Sequence, residues 1–105
     1  MAYLDRDAVI PEAKFTKYLL IRLPKDDKSQ FLAQAGYTRQ NWQQLSQDLR
    51  TQILPLEAIP TINTEFGQKY EIEGELTGPN GVTLRVTTVW IKTPTSTRFV
   101  TLVPR

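Results

Sequence analysis

The sequence predicts an α+β fold, in which two or three N-terminal helices pack on one face of a C-terminal three- to four-stranded antiparallel sheet. Three observations lead to this prediction. Apolar residues recur at helical spacing through residues 1–54, apolar and polar residues alternate from about residue 68, and a Gly-Pro-Asn-Gly turn interrupts that alternation. The 105 residues suit a single domain, with an irregular connection expected over 55–67 and the sheet over 68–104.

The first helix is expected to begin at Ile10-Pro11-Glu12, because proline suits the first helical position and an acid suits the first turn. Its apolar face carries Phe15, Tyr18 and Leu19. Pro24 should end this helix near residue 22, since the residue before a proline avoids the α region.

Two further helices are expected before Pro55. The second is short, from about 27 to 35, and Gly36 lies where a left-handed C-terminal cap belongs. The third opens at the N-cap residue Thr38 and ends at Pro55. Aromatic residues on the predicted apolar faces are assigned to the core: Tyr18, Tyr37 and Trp42. Trp90 in the sheet is assigned to the core as well, where its indole N–H should need a hydrogen-bond partner.

The connection over residues 55–67 contains two prolines and shows no clear period. Loops of this length in a compact domain are often mobile or functional. The favoured interpretation is a packed strap, anchored by Leu56, Ile59 and Ile62.

The turn Gly78-Pro79-Asn80-Gly81 predicts a hairpin with a three-residue loop that ends in a bulge. This turn pairs Gly78 with Val82 and thereby sets the register of the two strands. In that register Leu76 pairs with Leu84, Glu75 with Arg85, and Tyr70 with Trp90. In that register the even positions carry the apolar side chains toward the helices, and the odd positions carry glutamates and threonines toward solvent.

The last strand, Arg98 to Val103, has apolar residues on both of its sides. Val89 and Ile91 near the end of the preceding strand repeat this feature. Because the helices cover one face of the sheet, we expect an apolar patch around Val89, Ile91 and Phe99 on the other face.

The composition excludes several kinds of site. The chain has no Cys and no His, which excludes disulfides, a cysteine nucleophile, a Ser-His-Asp triad and the usual Cys/His zinc sites. We therefore expect no metal and no cofactor. The longest apolar run has four residues, too short for a membrane span, and the first residues are charged where a secretory signal is apolar. A soluble, cytoplasmic protein is expected.

Charge is unevenly distributed along the chain. From Leu76 onward there are four basic residues and no acid, whereas a row of glutamates (71, 73 and 75) precedes them. The glutamate row has two interpretations, a solvated strand face or paired carboxylates that act in acid–base chemistry or bind magnesium. The basic residues also have two, cross-strand pairing of Glu75 with Arg85 or an anion-binding face. That face would combine strand residues with two from the helical half: Arg85, Lys92, Arg98, Lys25 and Lys28.

Short segments along nearly the whole chain resemble a small, uncharacterised bacterial domain family. They are residues 10–15, residues 28–37, Trp42, Tyr70, and the closing segments 78–81, 88–90 and 98–104. Members of that family look like short proteins encoded beside small antitoxin-like partners, or like the last domains of larger secreted toxins. The resemblance implies a toxin of a toxin–antitoxin pair, and a metal-independent endoribonuclease in particular.

Two functional hypotheses follow. In the first, Arg98 and Arg85 stabilise the transition state of RNA cleavage, and Lys28 or Tyr70 assists transfer of the ribose 2′-hydroxyl proton. RNA would be bound with further residues, and a small antitoxin-like protein would neutralise the activity; these binding residues are Lys25, Lys92, Trp90 and Thr101. In the second, the chain is a non-enzymatic module that binds another protein, or a second copy of itself, through the apolar sheet face.

Overall fold

A computed structural model of the chain describes residues 2–25 and 27–105 and has the predicted α+β architecture. Three helical segments precede four strands. The segment α1 comprises α-helical Glu12–Lys14 and π-helical Phe15–Leu19, α2 is Ser29–Ala33, and α3 comprises 3-10 helical Arg39–Asn41, α-helical Trp42–Asp48 and π-helical Leu49–Ile53. The strands are β1 Ile59–Thr64, β2 Gly67–Thr77, β3 Thr83–Lys92 and β4 Thr97–Pro104.

The segments α1 and α3 begin where the sequence signals predict, whereas α2 begins at Ser29, two residues later than expected. Pro11 precedes α1 in an extended conformation, and α3 opens on a capping box in which the Thr38 backbone N–H donates to the Asn41 side chain at 2.7 Å. Both α1 and α2 are shorter than predicted and end at Leu19 and Ala33. No helix in the described part of the chain is long and apolar enough to cross a membrane.

The sheet is antiparallel, with the strand order β1-β2-β3-β4. The predicted hairpin register of β2 and β3 is confirmed, since Leu76 is opposite Leu84 and Tyr70 is opposite Trp90. The Gly78 N–H donates to the Val82 carbonyl at 3.0 Å, and Gly81 has the positive φ of 87° that the turn requires. The turn chemistry thereby places the inner apolar side chains against the helices.

The expected irregular connection over 55–67 is wrong in its centre, because Ile59–Thr64 forms the edge strand β1. Leu56, Ile59 and Ile62 are exposed, so they do not anchor a packed strap. The strand lies beyond the area that the helices cover, and its apolar residues therefore show no alternation of buried and exposed positions.

The expected apolar patch is wrong for Phe99, whose side chain is buried in the core, whereas Val89 and Ile91 are half-buried. The pairing of β3 with β4 shifts between Val89, opposite Thr101, and Trp90, opposite Phe99. Val100 is therefore an extra residue in β4, as in a β-bulge. The bulge lets Phe99 and a second buried residue three positions later, Leu102, both face the helices.

Aromatic side chains connect the two layers. The Phe15 ring of α1 lies 5.9 Å from the Phe99 ring and 6.4 Å from the Trp42 ring, centroid to centroid. Phe99 also contacts Trp90 edge to face at 5.2 Å. Of the aromatic residues predicted to be in the core, Tyr37 is buried and Trp42 is half-buried, but Tyr18 is 57% exposed.

A buried polar network joins α3 to the end of β2. The Tyr37 hydroxyl donates to the Asp48 carboxylate at 2.6 Å and lies 3.3 Å from the Thr77 carbonyl oxygen. Asp48 also accepts from the Gln44 side-chain amide at 2.8 Å. Burial, followed by the hydrogen bond to Asp48 and the charge of that carboxylate, raises the pKa of Tyr37 well above its ordinary value of 10.0.

This raised pKa predicts how stability depends on alkaline pH. The unfolded chain releases the Tyr37 proton as the pH rises above 10.0, whereas the folded chain retains it. The contribution of Tyr37 is fully present below that pH, so the free energy of unfolding should fall above it with a slope approaching one proton. Urea titrations of the wild type and of Tyr37→Phe measure this slope, with Tyr18→Phe as the control at an exposed ring. Equal slopes in the wild type and Tyr37→Phe would contradict the prediction.

Candidate anion-binding site

A cavity of about 420 Å³ opens between α1, the segment that leads into α2, and the bulge of β4. We call it the lysine pocket. Among the described residues that line it, three are lysines and none is acidic; this lining consists of Lys14, Tyr18, Leu19, Leu23, Lys25, Lys28, Val100 and Thr101.

The segment α1 supplies one wall of the lysine pocket. Lys14 and Tyr18 are four positions apart and therefore lie on the same side of the helical segment. Phe15 and Leu19 are buried and fix the segment against the sheet. The Tyr18 ring consequently stands at the mouth of the pocket with more than half of its surface exposed.

The opposite wall comes from β4 and from the start of α2. The Lys28 ammonium donates to the Thr101 hydroxyl at 3.3 Å, which joins the two elements. An ammonium has three N–H groups, and this hydrogen bond uses one of them. Thr101 follows the extra residue Val100, so the bulge determines where this hydroxyl lies.

Every charged side chain among the described residues of the lining is positive. Within residues 2–25 and 27–105, none of its three lysines lies within 4.0 Å of a carboxylate. Asp27 is the neighbour of Lys28 along the chain, and its carboxylate accepts the Ser29 N–H at 2.8 Å and the Ser29 hydroxyl at 2.6 Å. These hydrogen bonds lower the pKa of Asp27, and nearby Arg22 lowers it further. Apolar wall residues strengthen the field of the lysines by excluding water.

This arrangement suits a phosphorylated ligand. Lysine ammonium groups bind phosphate as point charges, and they also stabilise negative charge that develops during a reaction at phosphorus. An exposed aromatic ring beside them provides a surface on which a nucleobase can stack. The arrangement therefore combines the two contacts by which proteins hold single nucleic-acid strands.

The structure brings three of the predicted site residues together and separates the others. Lys25, Lys28 and Thr101 all line the pocket. Arg85 lies on the outer face of the sheet opposite Glu75, where the described residues form no ion pair between them. The ion pair on that face joins Arg105 to Glu73 at 3.3 Å instead.

The remaining predicted residues lie elsewhere. Trp90, expected among the binding residues, is completely buried, and its indole N–H donates to the Thr88 hydroxyl at 2.7 Å, so a ligand cannot contact it from solvent. Tyr70 is half-buried against the core. Lys92 and Arg98 are exposed beside the turn between β3 and β4, and neither lines the pocket.

Two residues with polar groups in the pocket were not among the predicted site residues, namely Lys14 and Tyr18. Their spacing of four on an amphipathic helix was the available signal, but Tyr18 also matched the apolar face and was assigned to the core. The glutamates at 71, 73 and 75 lie on a different face, and the described chain contains no group of three residues placed to hold a metal ion.

Comparison with known proteins gives one match. No curated protein and no solved structure matches the chain. A family model matches residues 4–105, which is nearly the whole sequence. The chain therefore belongs to the family described as a domain of unknown function (DUF6883), in agreement with the predicted membership of an uncharacterised family.

Proposed function

We propose that this protein binds single-stranded RNA through the lysine pocket and acts on RNA as the toxin of a toxin–antitoxin pair. The observation that carries the proposal is the convergence of Lys14, Lys25 and Lys28 beside the exposed Tyr18 ring, with no acid among the described residues of the lining. Both parts of a nucleotide, its phosphate and its base, then have a matching contact.

The shape of the pocket favours a single strand over a duplex. A concave cavity of about 420 Å³ can enclose one splayed nucleotide, whereas a duplex presents its phosphates on a convex surface. The net charge of +2 agrees with a local site better than with an extended basic face.

The toxin part of the proposal rests on the family resemblance and on the chemistry of the pocket. A lysine next to a phosphodiester stabilises the extra negative charge of the cleavage transition state, and Lys28 is the residue we assign to that role. A small antitoxin-like protein would neutralise the toxin by covering the pocket mouth. Because its target is RNA, we propose that the protein acts in the cytoplasm.

The expected effect on binding is large. Replacing both Lys25 and Lys28 with glutamine should weaken binding of a fluorescein-labelled oligouridylate about tenfold, and should reduce the dependence of the affinity on salt. Fluorescence anisotropy at several salt concentrations measures both quantities. The matched control is Lys17→Gln/Lys69→Gln, which removes the same charge outside the pocket. Equal losses in the two double variants would mean that binding reflects total charge and not this pocket.

RNA cleavage is tested separately. Wild type, Lys28→Gln and Arg98→Ala are incubated with total RNA, and we expect cleavage by the wild type and its loss in Lys28→Gln. Loss of cleavage in Arg98→Ala, with cleavage retained in Lys28→Gln, would show that an arginine and not Lys28 stabilises the transition state. Intact RNA with every protein, together with retained oligouridylate binding, would show an RNA-binding protein that is not a nuclease.

A specific observation favours self-association through β1 as a second candidate function. This edge strand exposes Ile59 and Ile62, and the adjoining turn exposes Phe66. No charged residue lies within β1, so pairing with the same strand of a second copy brings no like charges together. We expect Ile62→Lys to abolish a dimer measured by light scattering. A wild type that remains monomeric at high concentration would contradict this function.

A further inference from the structure

We propose that the RNA continues from the lysine pocket into a second groove, where Arg22 and Arg39 bind another phosphate. This inference rests on the proposed function, because it extends the same bound strand. The inference implies that the ligand is an oligonucleotide and not a mononucleotide or a free phosphate.

The second groove has a volume of about 400 Å³ and lies against α2 and the start of α3. Its lining, over the part of the chain that the structure describes, contains two arginines and no acid. Gln30, Thr38 and Gln40 add side chains that can donate hydrogen bonds to a sugar or a base. Guanidinium groups bind phosphate oxygens in a bidentate manner, which makes the groove suited to a phosphodiester.

The two sites share a wall. At three places, neighbouring residues of the chain line opposite sides of that wall: Leu19 and Leu20, Leu23 and Arg22, and Lys28 and Ser29. Each pair contributes its first member to the lysine pocket and its second to the groove. An RNA strand that crosses this wall from the pocket would reach the groove.

The two arginines differ in their surroundings. Arg22 lies close enough to Asp27 to lower the pKa of that carboxyl group, so part of its charge is compensated. Arg39 is exposed at the start of α3, and no ion pair of the described residues involves it. We therefore expect Arg39 to contribute more than Arg22 to phosphate binding.

The test compares ligand lengths. Fluorescein-labelled uridine monophosphate and an oligouridylate of about eight nucleotides are titrated into wild type, Arg22→Gln/Arg39→Gln and Lys25→Gln/Lys28→Gln. The arginine variant should bind the oligomer about tenfold more weakly, with a smaller salt dependence, and should bind the monophosphate as the wild type does. Arg6→Gln/Arg105→Gln is the charge-matched control, since neither residue lines either site.

The outcomes separate this inference from the proposed function. If the lysine variant loses binding and the arginine variant binds both ligands normally, the groove is not a subsite and the lysine pocket stands. If neither variant loses binding, the proposed function itself fails. Unchanged monophosphate binding also shows that the arginine variant is folded. Equal affinity for an oligodeoxyuridylate of the same length would contradict the claim that the ligand is RNA and not DNA.

Discussion

Replacing Phe99 with alanine is expected to lower the free energy of unfolding by about 3–5 kcal/mol, the range found for large aromatic side chains removed from cores. Phe99 is almost completely buried and contacts Phe15 of the helical layer and Trp90 of β3. Its removal would leave a cavity between the two layers. Urea denaturation monitored by tryptophan fluorescence measures the loss.

The matched control on the same strand is Val103→Ala, because this side chain is partly exposed at the far end of β4. Its expected cost is below about 1 kcal/mol. Phe99→Leu preserves much of the volume and should remain folded even where the alanine variant does not. A small effect of Phe99→Ala would show that this side chain lies on the outer face of the sheet, as the sequence alone suggested.

Replacing Gly78 with alanine is expected to cost about 3 kcal/mol of stability. An added Cβ atom would overlap the backbone carbonyl of Ala35, two residues after α2 ends, and a backbone atom cannot move as a flexible side chain can. The turn would have to separate from α2, where the Asn80 side-chain amide donates to the Gln34 carbonyl at 3.0 Å. Thermal and urea unfolding both report this loss.

The control is Gly81→Ala in the same turn. Gly81 also has a strained conformation for other residues, with φ at 87°, but an added Cβ would contact nothing within 4 Å. Its expected cost is only the conformational penalty, about 1 kcal/mol. Equal costs at the two glycines would contradict the close contact between the turn and α2.

The sequence is most informative where two local signals agree. At the β2–β3 hairpin the turn chemistry and the alternation select the same register, and the structure has that register over the whole pairing. For α3, the predicted N-cap Thr38 and the prolines that follow bound the segment correctly. These features depend on neighbouring residues, which is why a single sequence suffices to predict them.

Long-range features could not be predicted in this way. The bulge at Val100 changes which side chains of β4 face the helices, and no residue type in the segment signals it. The strand β1 has a proline at its second position and exposed apolar residues, because it pairs at the edge of the sheet beyond the helices. The strand β1 is therefore defined by its pairing with β2 and not by its own sequence pattern.

The candidate site could be predicted only in part, because its position also depends on long-range features. The basic residues of the helical half were expected to join the sheet, and Lys25 and Lys28 do so beside Thr101. Which sheet residues they meet depends on the bulge and on the path of α1, so Arg85 and Arg98 were grouped with them although they lie elsewhere.

The central claim is that RNA binds in the lysine pocket, and amide chemical-shift mapping tests it most directly. An oligouridylate is titrated into ¹⁵N-labelled protein, and the shifted resonances are assigned. We predict that the largest shifts cluster at Lys14, Tyr18, Lys25, Lys28 and Thr101. Shifts confined to β1 or to the outer face around Arg85, or no shifts at a saturating oligouridylate concentration, would contradict the claim.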